Sequence, residues 1–492
     1  MFSNIISKAR RLFQRMGLVK ELKTITEHKA IGIDESFYNH ILKWKSLYSG
    51  YLSEFHDVEY QTIAEGTKKR RMASLQMPKV VSNELASLIF NERCEINISD
   101  DAFSDNIQSI LKKNNFQSKF QDGLEGMFAL GGFVIKPYFA DGEIKLSYVT
   151  ADCFLPISWD NAKVTEGVFL NEFTKQGKKF THLEWHTWEQ KTYVVKNEVY
   201  ESINGQDLGT KVNLKMYFPD LEEEVRINAF NRPSFVYIKP NTANNIDTTI
   251  PLGIAIYANA LDTLQSIDIA FDSFQREFRL GKKRIIVPDS AIKMVVDPQT
   301  GQMHRYFDAN DEVYESMNLG DMDNGKIQDV SVALRVDEHI SAINALLNLL
   351  AMQIGFSSGA FSFDGQSVKT ATEVVSENSK TFRSKQSHEN VIETGLTELV
   401  DCIGQLAELY SLFSRPSDYE VTVSFDDSIA EDQTAEIAKQ IQLVSNGLTT
   451  KVKAIMKIHG YSEEEAIDML AKIKEEQATA NAEAIDMFGV NS

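Results

Sequence analysis

The sequence predicts an α+β fold: a mainly helical chain with a β-rich insert, two long helices bracketing a small α/β module, and a helical C-terminal region. Three observations carry this expectation. Apolar residues recur every three or four positions over roughly the first 130 residues and again beyond residue 250. Between residues 131 and about 240 the period drops to two. The composition, 43% hydrophobic and 25% charged in 492 residues, is that of a globular chain large enough for two to four domains.

Taken in order, SFYNHILKWKSLYSGYL and KVVSNELASLIFNE carry helical apolar spacing, and KKRR (Lys68 to Arg71) between them reads as a solvated basic loop. GGFVIKPYFADGEIKLSYV is a hairpin turning at Asp141-Gly142, a dipeptide suited to a tight turn. The following meander turns near Gln176-Gly177 and Glu189-Gln190. From Pro251 to Gly281, Ile254, Tyr257, Leu261, Leu264, Ile267, Phe271, Phe274 and Phe278 form one stripe, which predicts a helix of roughly 29 residues and about 43 Å. A compact, acidic module follows to about residue 334. A second striped helix then has Ile340, Ile343, Leu347, Leu350 and Ile354 on one side and Asn344 and Asn348 on the other. The two helices read as an antiparallel pair carrying the module at its far end. After the loop GFSSGAFSFDGQSVK comes a long helix, roughly Thr370 to Phe413, with a capping box at Thr370 and Glu373. Its middle, SENSKTFRSKQSHEN, is poor in apolar residues, as for a helix at a wet interface. A strand-like DYEVTVSFDD and three helical segments from about Ser428 close the chain.

The motifs that carry chemistry are not met. The Gly355–Lys369 loop fails the phosphate-cradle pattern: Gly359 and Gly365 are one residue too far apart, Gln366 stands where lysine belongs, and a helix rather than a strand precedes it. It reads as a flexible connector whose glycines and serines give freedom to move. THLEWHTWE would put His182, Glu184 and His186 on one strand face, but without a fourth ligand or HExxH spacing. They read as a solvated polar face with Leu183 and Trp185 turned inward. DMDNGKIQDV lacks the calcium-loop residues, with Gly325, Lys326 and Val332 at the positions that need an oxygen, a glycine and a glutamate. Cys94, Cys153 and Cys402 have no ligand spacing and read as thiols of a reducing compartment. No catalytic residue, metal site or cofactor is expected.

The formal net charge is −19, which argues against gripping nucleic acid by neutralising phosphates, though not against letting it slide past. The N-terminal MFSNIISKARRLFQRMGLVK is basic and amphipathic, lacks the features of a secretory signal, and reads as a helix packed on a neighbour or as a membrane-surface helix.

The order of elements, with WKSLYSGY (44–51), MPKVVSNELASLIFNE (77–92), PLGIAIYANALDTLQSIDIAFDSFQREFRLGKKRIIVP (251–288) and GFSSGAFSFDGQSVKTATEV leading into SKTFRSKQSHENVIE, resembles the portal proteins of tailed phages, in particular the branch found in siphophages of Gram-positive hosts. The resemblance implies the portal-protein fold: a wing over residues 1–250 rejoined by 368–427, stem helices at 251–281 and 335–354, a clip at 282–334, a tunnel loop at 355–367 and a helical crown at 428–492. It implies a homo-oligomeric ring, a dodecamer, at the capsid vertex of the virion, assembled in the host cytoplasm. Double-stranded DNA would pass through it without sequence readout. Terminase, head-completion or connector proteins, scaffolding protein and major capsid protein would be the partners, with no membrane. Within the implied tunnel loop, Phe356, Ser357, Ser358, Phe361, Phe363, Asp364 and Gln366, with Lys369 just beyond it, would line the DNA channel. In the implied clip, Lys282, Lys283, Arg284, Asp308, Asp311 and Glu312 would contact terminase or the connector. For the three cations, complementing a helix C-terminus is an equally good reading.

Two other classes compete. A peripheral membrane or scaffold protein anchored by the basic N-terminal helix would bind liposomes and form no closed ring. An enzyme with an unrecognised site would turn over a substrate such as a nucleotide.

Overall fold

Apolar spacing builds the first layer. In the computed structural model, which describes residues 35–62, 66–91, 94–161, 163–203, 208–281, 285–286, 293–296, 303–306, 328–329, 333–363, 379–425, 433–459 and 466–474, α1 (Glu35–Tyr48) buries Phe37, Tyr38, Ile41, Trp44 and Leu47. The two-stranded hairpin β1 (Asp57–Thr62) and β2 (Gly66–Arg71) follows. KKRR therefore lies in a strand rather than a loop: Arg70 and Arg71 find partners on other elements, and this overrides a composition that looks merely soluble. Helix α2 (Met77–Ile89) has Pro78 in its first turn, where a missing N–H costs nothing, and buries Met77, Val81, Leu85 and Ile89. Strand β3 (Glu95–Ile98) leads to α3 (Asp101–Lys113), whose N-cap Asp100 accepts from the Phe103 N–H at 2.8 Å. The adjoining α4 (Phe116–Leu130) is the central helix. It buries Phe116, Phe120, Leu124, Met127 and Phe128, and ends at Gly131 in the left-handed conformation (φ 86°).

The period-two segment forms two antiparallel sheets. Strands β4 (Phe133–Ala140) and β5 (Glu143–Thr150) join through Asp141 and Gly142, both at positive φ as a tight hairpin turn requires. Strand β12 (Val236–Ile238) pairs β4 on its other edge. The larger sheet runs β6 (Phe154–Asp160), β7 (Lys163–Lys175), β8 (Lys178–Glu189), β9 (Thr192–Glu201) and β10 (Thr210–Val212), with β11 (Glu224–Ile227) also pairing β9. The β7–β8 turn is at Gln176 and Gly177, both again at positive φ; the β8–β9 register, Glu189 opposite Thr192, puts that turn at Gln190 and Lys191, one residue beyond the predicted pair.

The helix expected from Pro251 begins ten residues later, as α5 (Leu261–Leu280), about 30 Å long instead of about 43 Å. Its would-be first turns are an irregular buried segment whose polar groups are satisfied elsewhere. The Gly253 N–H donates to the Tyr237 hydroxyl (3.1 Å), the Ile256 N–H to the Phe128 carbonyl (3.0 Å), and Lys239 Nζ donates to the Pro251 carbonyl (2.8 Å). Tertiary partners outcompete the intrahelical ladder here.

The module between the long helices is described only as four short strands, β13 (Ile285–Ile286), β14 (Lys293–Val296), β15 (Met303–Tyr306) and β16 (Gln328–Asp329), paired 13–16 and 14–15. Helix α6 (Val336–Ile354) buries Ile343, Leu347, Leu350, Ala351 and Ile354, while Ile340 is half-buried. Helix α7 (Ser379–Leu409) is described from Ser379, so the capping box at Thr370 and Glu373 lies outside the described residues. The polar middle of α7 is wet on one side only: Arg383, Gln386 and Asn390 are exposed, while Lys385, His388 and Glu389 are buried, with Lys385 paired to Glu389 one turn on at 2.5 Å. Strand β17 (Val421–Ser424) pairs β3, closing residues 95 to 424 into one unit. Helices α8 (Gln433–Ser445) and α9 (Lys451–His459), and α10 over 466–474, form the tail. One large core runs through α1 to α4, the sheets, the 250–267 segment, α6 and α7. Cys94 and Cys402 lie inside the fold and all three cysteines are free.

Candidate functional site

Two carboxylates four residues apart on α5, hence on one face, fix this helix to the rest of the chain. Asp268 accepts from the Leu75 N–H (2.9 Å) and the Ser74 hydroxyl (2.9 Å), and His56 Nε2 lies 3.1 Å from it. Asp272 takes a two-pronged guanidinium contact from Arg70 (2.8 and 2.6 Å) and the Ala73 N–H (3.1 Å). Burial opposes charge on Asp272, but the bonds from Arg70 and Ala73 outweigh it and hold the carboxyl below its usual value. KKRR carried a signal for this clamp only in its excess of guanidinium; its acceptor lies some 200 residues away, beyond any local pattern.

Helices α5 and α6 then pack as an antiparallel hairpin. The Phe274 ring meets His339 at 5.8 Å, and Glu277 accepts three hydrogen bonds from Arg335, two from its guanidinium (3.2 and 2.9 Å) and one from its backbone N–H (3.3 Å). That pairing pulls the Glu277 carboxyl down to about 2.

The turn out of α6 is built rather than loose. Gly355 (φ 90°) is the left-handed C-terminal residue, and the Phe356 N–H returns to the Ala351 carbonyl at 2.8 Å. The two asparagines on the outer side of α6 hold the backbone after this turn: Asn348 accepts from the Gly359 N–H and Asn344 from the Phe363 N–H, both at 2.7 Å. Ser357 is tied to Thr381 of α7 in both directions (2.8 and 3.2 Å). Gly355 and Gly359 thus serve left-handed backbone conformations, and residues 355–363 are pinned, where the sequence suggested freedom to move. Phe356 and Ser357 are buried, Ser358 is exposed, and Phe361 and Phe363 are half-buried. Phe363 packs on Phe271 (6.3 Å) and Phe274 (5.7 Å) of α5, and Phe361 on Phe356 (5.2 Å). Asp364, Gln366 and Lys369 lie outside the described residues, as do Lys282, Lys283, Arg284, Asp308, Asp311 and Glu312.

The His182, Glu184, His186 face is not solvated. Both histidines are buried: His182 Nε2 meets Asn197 (3.0 Å), while His186 meets Glu184 (2.9 Å) and the Tyr193 hydroxyl (2.8 Å). Lys136 pairs with the other Glu184 oxygen. Burial opposes charge on Glu184, yet Lys136 and His186 hold it well below the usual range. This is an internally satisfied network, and among the described residues no three His, Cys, Asp or Glu side chains are grouped to hold a metal.

The α5/α6 hairpin exposes large apolar side chains that nothing among the described residues covers: Ile269 (50% exposed), Phe278, Leu280 (56%), Leu334, Leu349 and Met352 (55%). Among the described residues no helix is long and apolar enough to cross a membrane. A family model described as "Phage portal protein, SPP1 Gp6-like" matches residues 27–483. No curated protein matches the chain.

Proposed function

Because this chain belongs to the phage portal proteins of the SPP1 Gp6-like family, we propose that copies of it form a closed ring, a dodecamer, at one capsid vertex, through which double-stranded DNA is packaged and ejected. The observation that carries the ring is the apolar side-chain set exposed on the α5/α6 hairpin, which a neighbouring copy would cover. In this reading 1–250 with 368–427 is the wing, 251–281 and 335–354 are the stem, 282–334 is the clip, and 428–492 is the crown. Residues 355–367 form the tunnel loop at the constriction. The asparagine clamps support a loop held at a set position, with Ser358 offered to the channel and the phenylalanines used to brace it on the stem. Terminase and, later, head-completion proteins dock at the clip; scaffolding and major capsid proteins meet the ring during assembly. The portal itself does no chemistry. Its net charge, repeated around a ring, gives a wall that repels phosphate and favours sliding.

Negative-stain electron microscopy of the purified chain tests the ring: closed rings with an axial channel wide enough for duplex DNA are expected, and a monodisperse monomer under all conditions rejects the proposal. Deleting part of 355–366 should leave rings intact and impair DNA packaging or retention. Normal genome filling by such a variant removes the loop's role.

A further inference from the structure

We infer that neighbouring copies join head to tail through charge, Arg276 and Arg279 on α5 of one copy meeting Asp337 and Glu338 on α6 of the next. This rests on the ring reading and names the contact that sets its register. A cleft of about 630 Å³ lies between the C-terminal half of α5 and the 70–76 segment, and its lining holds four guanidiniums, those of Arg70, Arg71, Arg276 and Arg279, against the single carboxylate of Asp272. Arg70 occupies Asp272, and Arg71 donates to the Gly50 carbonyl (2.8 Å) while lying over the Tyr51 ring. Arg276 and Arg279 are exposed and form no ion pair among the described residues. Arg276 helps hold the Asp272 carboxyl charged, but one carboxylate already bound by Arg70 leaves the ledge with an excess of positive charge, a local exception in a chain of net charge −19 that asks for an acidic partner.

The hairpin supplies that partner at the same level. The Phe274–His339 and Glu277–Arg335 contacts set the C-terminal half of α5 beside the first turn of α6. Arg276 is two positions after Phe274, and Asp337 two positions before His339. At ~100° per residue each is turned about 200° from the α5–α6 contact, so the two face outward on opposite sides of the hairpin. Arg279 falls on the same outer side of α5 as Arg276. Asp337 and Glu338 are exposed and form no ion pair among the described residues. Exposed apolar side chains lie beside both ledges, Leu280 next to Arg279 at the end of α5 and Leu334 just ahead of Asp337 at the start of α6. Two different, complementary patches on opposite sides make a heterologous interface, the kind that closes into a ring when the rotation allows.

The test uses the full-length chain in three charge variants: R276E/R279E, D337K/E338K, and the quadruple swap. Sedimentation velocity and negative-stain imaging at ~0.1 M salt should show each double variant needing about tenfold more protein for half-assembly, with the quadruple swap regaining most of the loss. Melting temperature and circular dichroism identify any variant that misfolds; should one double variant do so, the other still decides. Wild-type rings together with a folded R276E/R279E that assembles normally, or a folded quadruple swap no better than the doubles, overturn the contact and leave the ring reading standing. Absence of wild-type rings removes both. Unchanged rings with weakened duplex DNA binding assign the arginines to nucleic acid instead.

Discussion

At position 388 a histidine in the middle of α7 sits buried against Phe128 (5.1 Å), its Nδ1 accepting from the Asn241 N–H at 3.0 Å. Burial pushes this imidazole down to about 4. A fully protonated ring has no acceptor left, so acid breaks the Asn241 bond as well as charging a dry site. The folded value lies below the unfolded value of about 6.5, so the unfolded chain binds more protons between the two. The stability His388 contributes is therefore present above about pH 6.5 and lost as pH falls through about 4, to at most about 3 kcal/mol. We expect His388→Gln to lower stability at pH 7 yet flatten the decline between pH 6.5 and 4.5, read from urea midpoints across that range. His182 and His186, pushed down by burial in the sheet, act with the same sign and keep the slope from vanishing. A variant with the wild-type slope would acquit His388. Asp272, held below its ordinary value, adds a further loss at lower pH. These roles were hidden in the sequence. A histidine in SENSKTFRSKQSHEN looks soluble, and only the packing of α7 against Phe128 and residue 241 makes it dry.

Among the elements, the joint between α4 and the segment entering α5 is the most demanding. A Cβ on Gly253 would stand 2.4 Å from the Gly131 carbonyl oxygen, and one on Gly131 2.5 Å from the Gly253 carbonyl oxygen. Backbone here meets backbone, and neither side can move without undoing the hydrogen bonds of Gly253 and Ile256. Gly253→Ala should cost about 3 kcal/mol or more, read as a drop in melting temperature. Gly447→Ala should cost about 1 kcal/mol, since it has only its positive φ (70°) to strain and nothing within 4 Å. Equal losses would show that crowding at 253 is relieved by a shift. The same joint explains the helix that began late. The stripe from Ile254 onward is continuous in sequence, but Ile254 and Tyr257 are buried by irregular backbone rather than by helix. Periodicity reports which residues turn inward and not which hydrogen bonds hold the chain there.

For the whole molecule, charge is the property that reaches beyond single contacts. With 70 Asp and Glu against 51 Lys and Arg, the chain has little with which to displace counterions from DNA. Fluorescence anisotropy of a short duplex at ~0.15 M salt should give a dissociation constant weaker than about 10 μM, with a shallow salt dependence. Submicromolar affinity with a steep salt slope would contradict a wall that DNA slides past. The N-terminal segment to residue 34, which the membrane-surface alternative needs, lies outside the described residues.

By itself the sequence determined the succession of helical and strand segments outside the KKRR hairpin and the 251–260 segment, the hairpin turns at Asp141-Gly142 and Gln176-Gly177, the family, and the acidic character of the chain. Each of these is local or additive: a turn needs two residues of positive φ, a stripe needs one face, and net charge is a sum. Only the tertiary structure decided what the polar residues do. Arg70 reaches Asp272, Asn344 and Asn348 clamp the turn out of α6, and His186 joins Lys136 through Glu184. A polar side chain's role depends on whether its partner arrives from elsewhere in the chain, and that is settled when distant segments pack and exclude the water that would otherwise serve both.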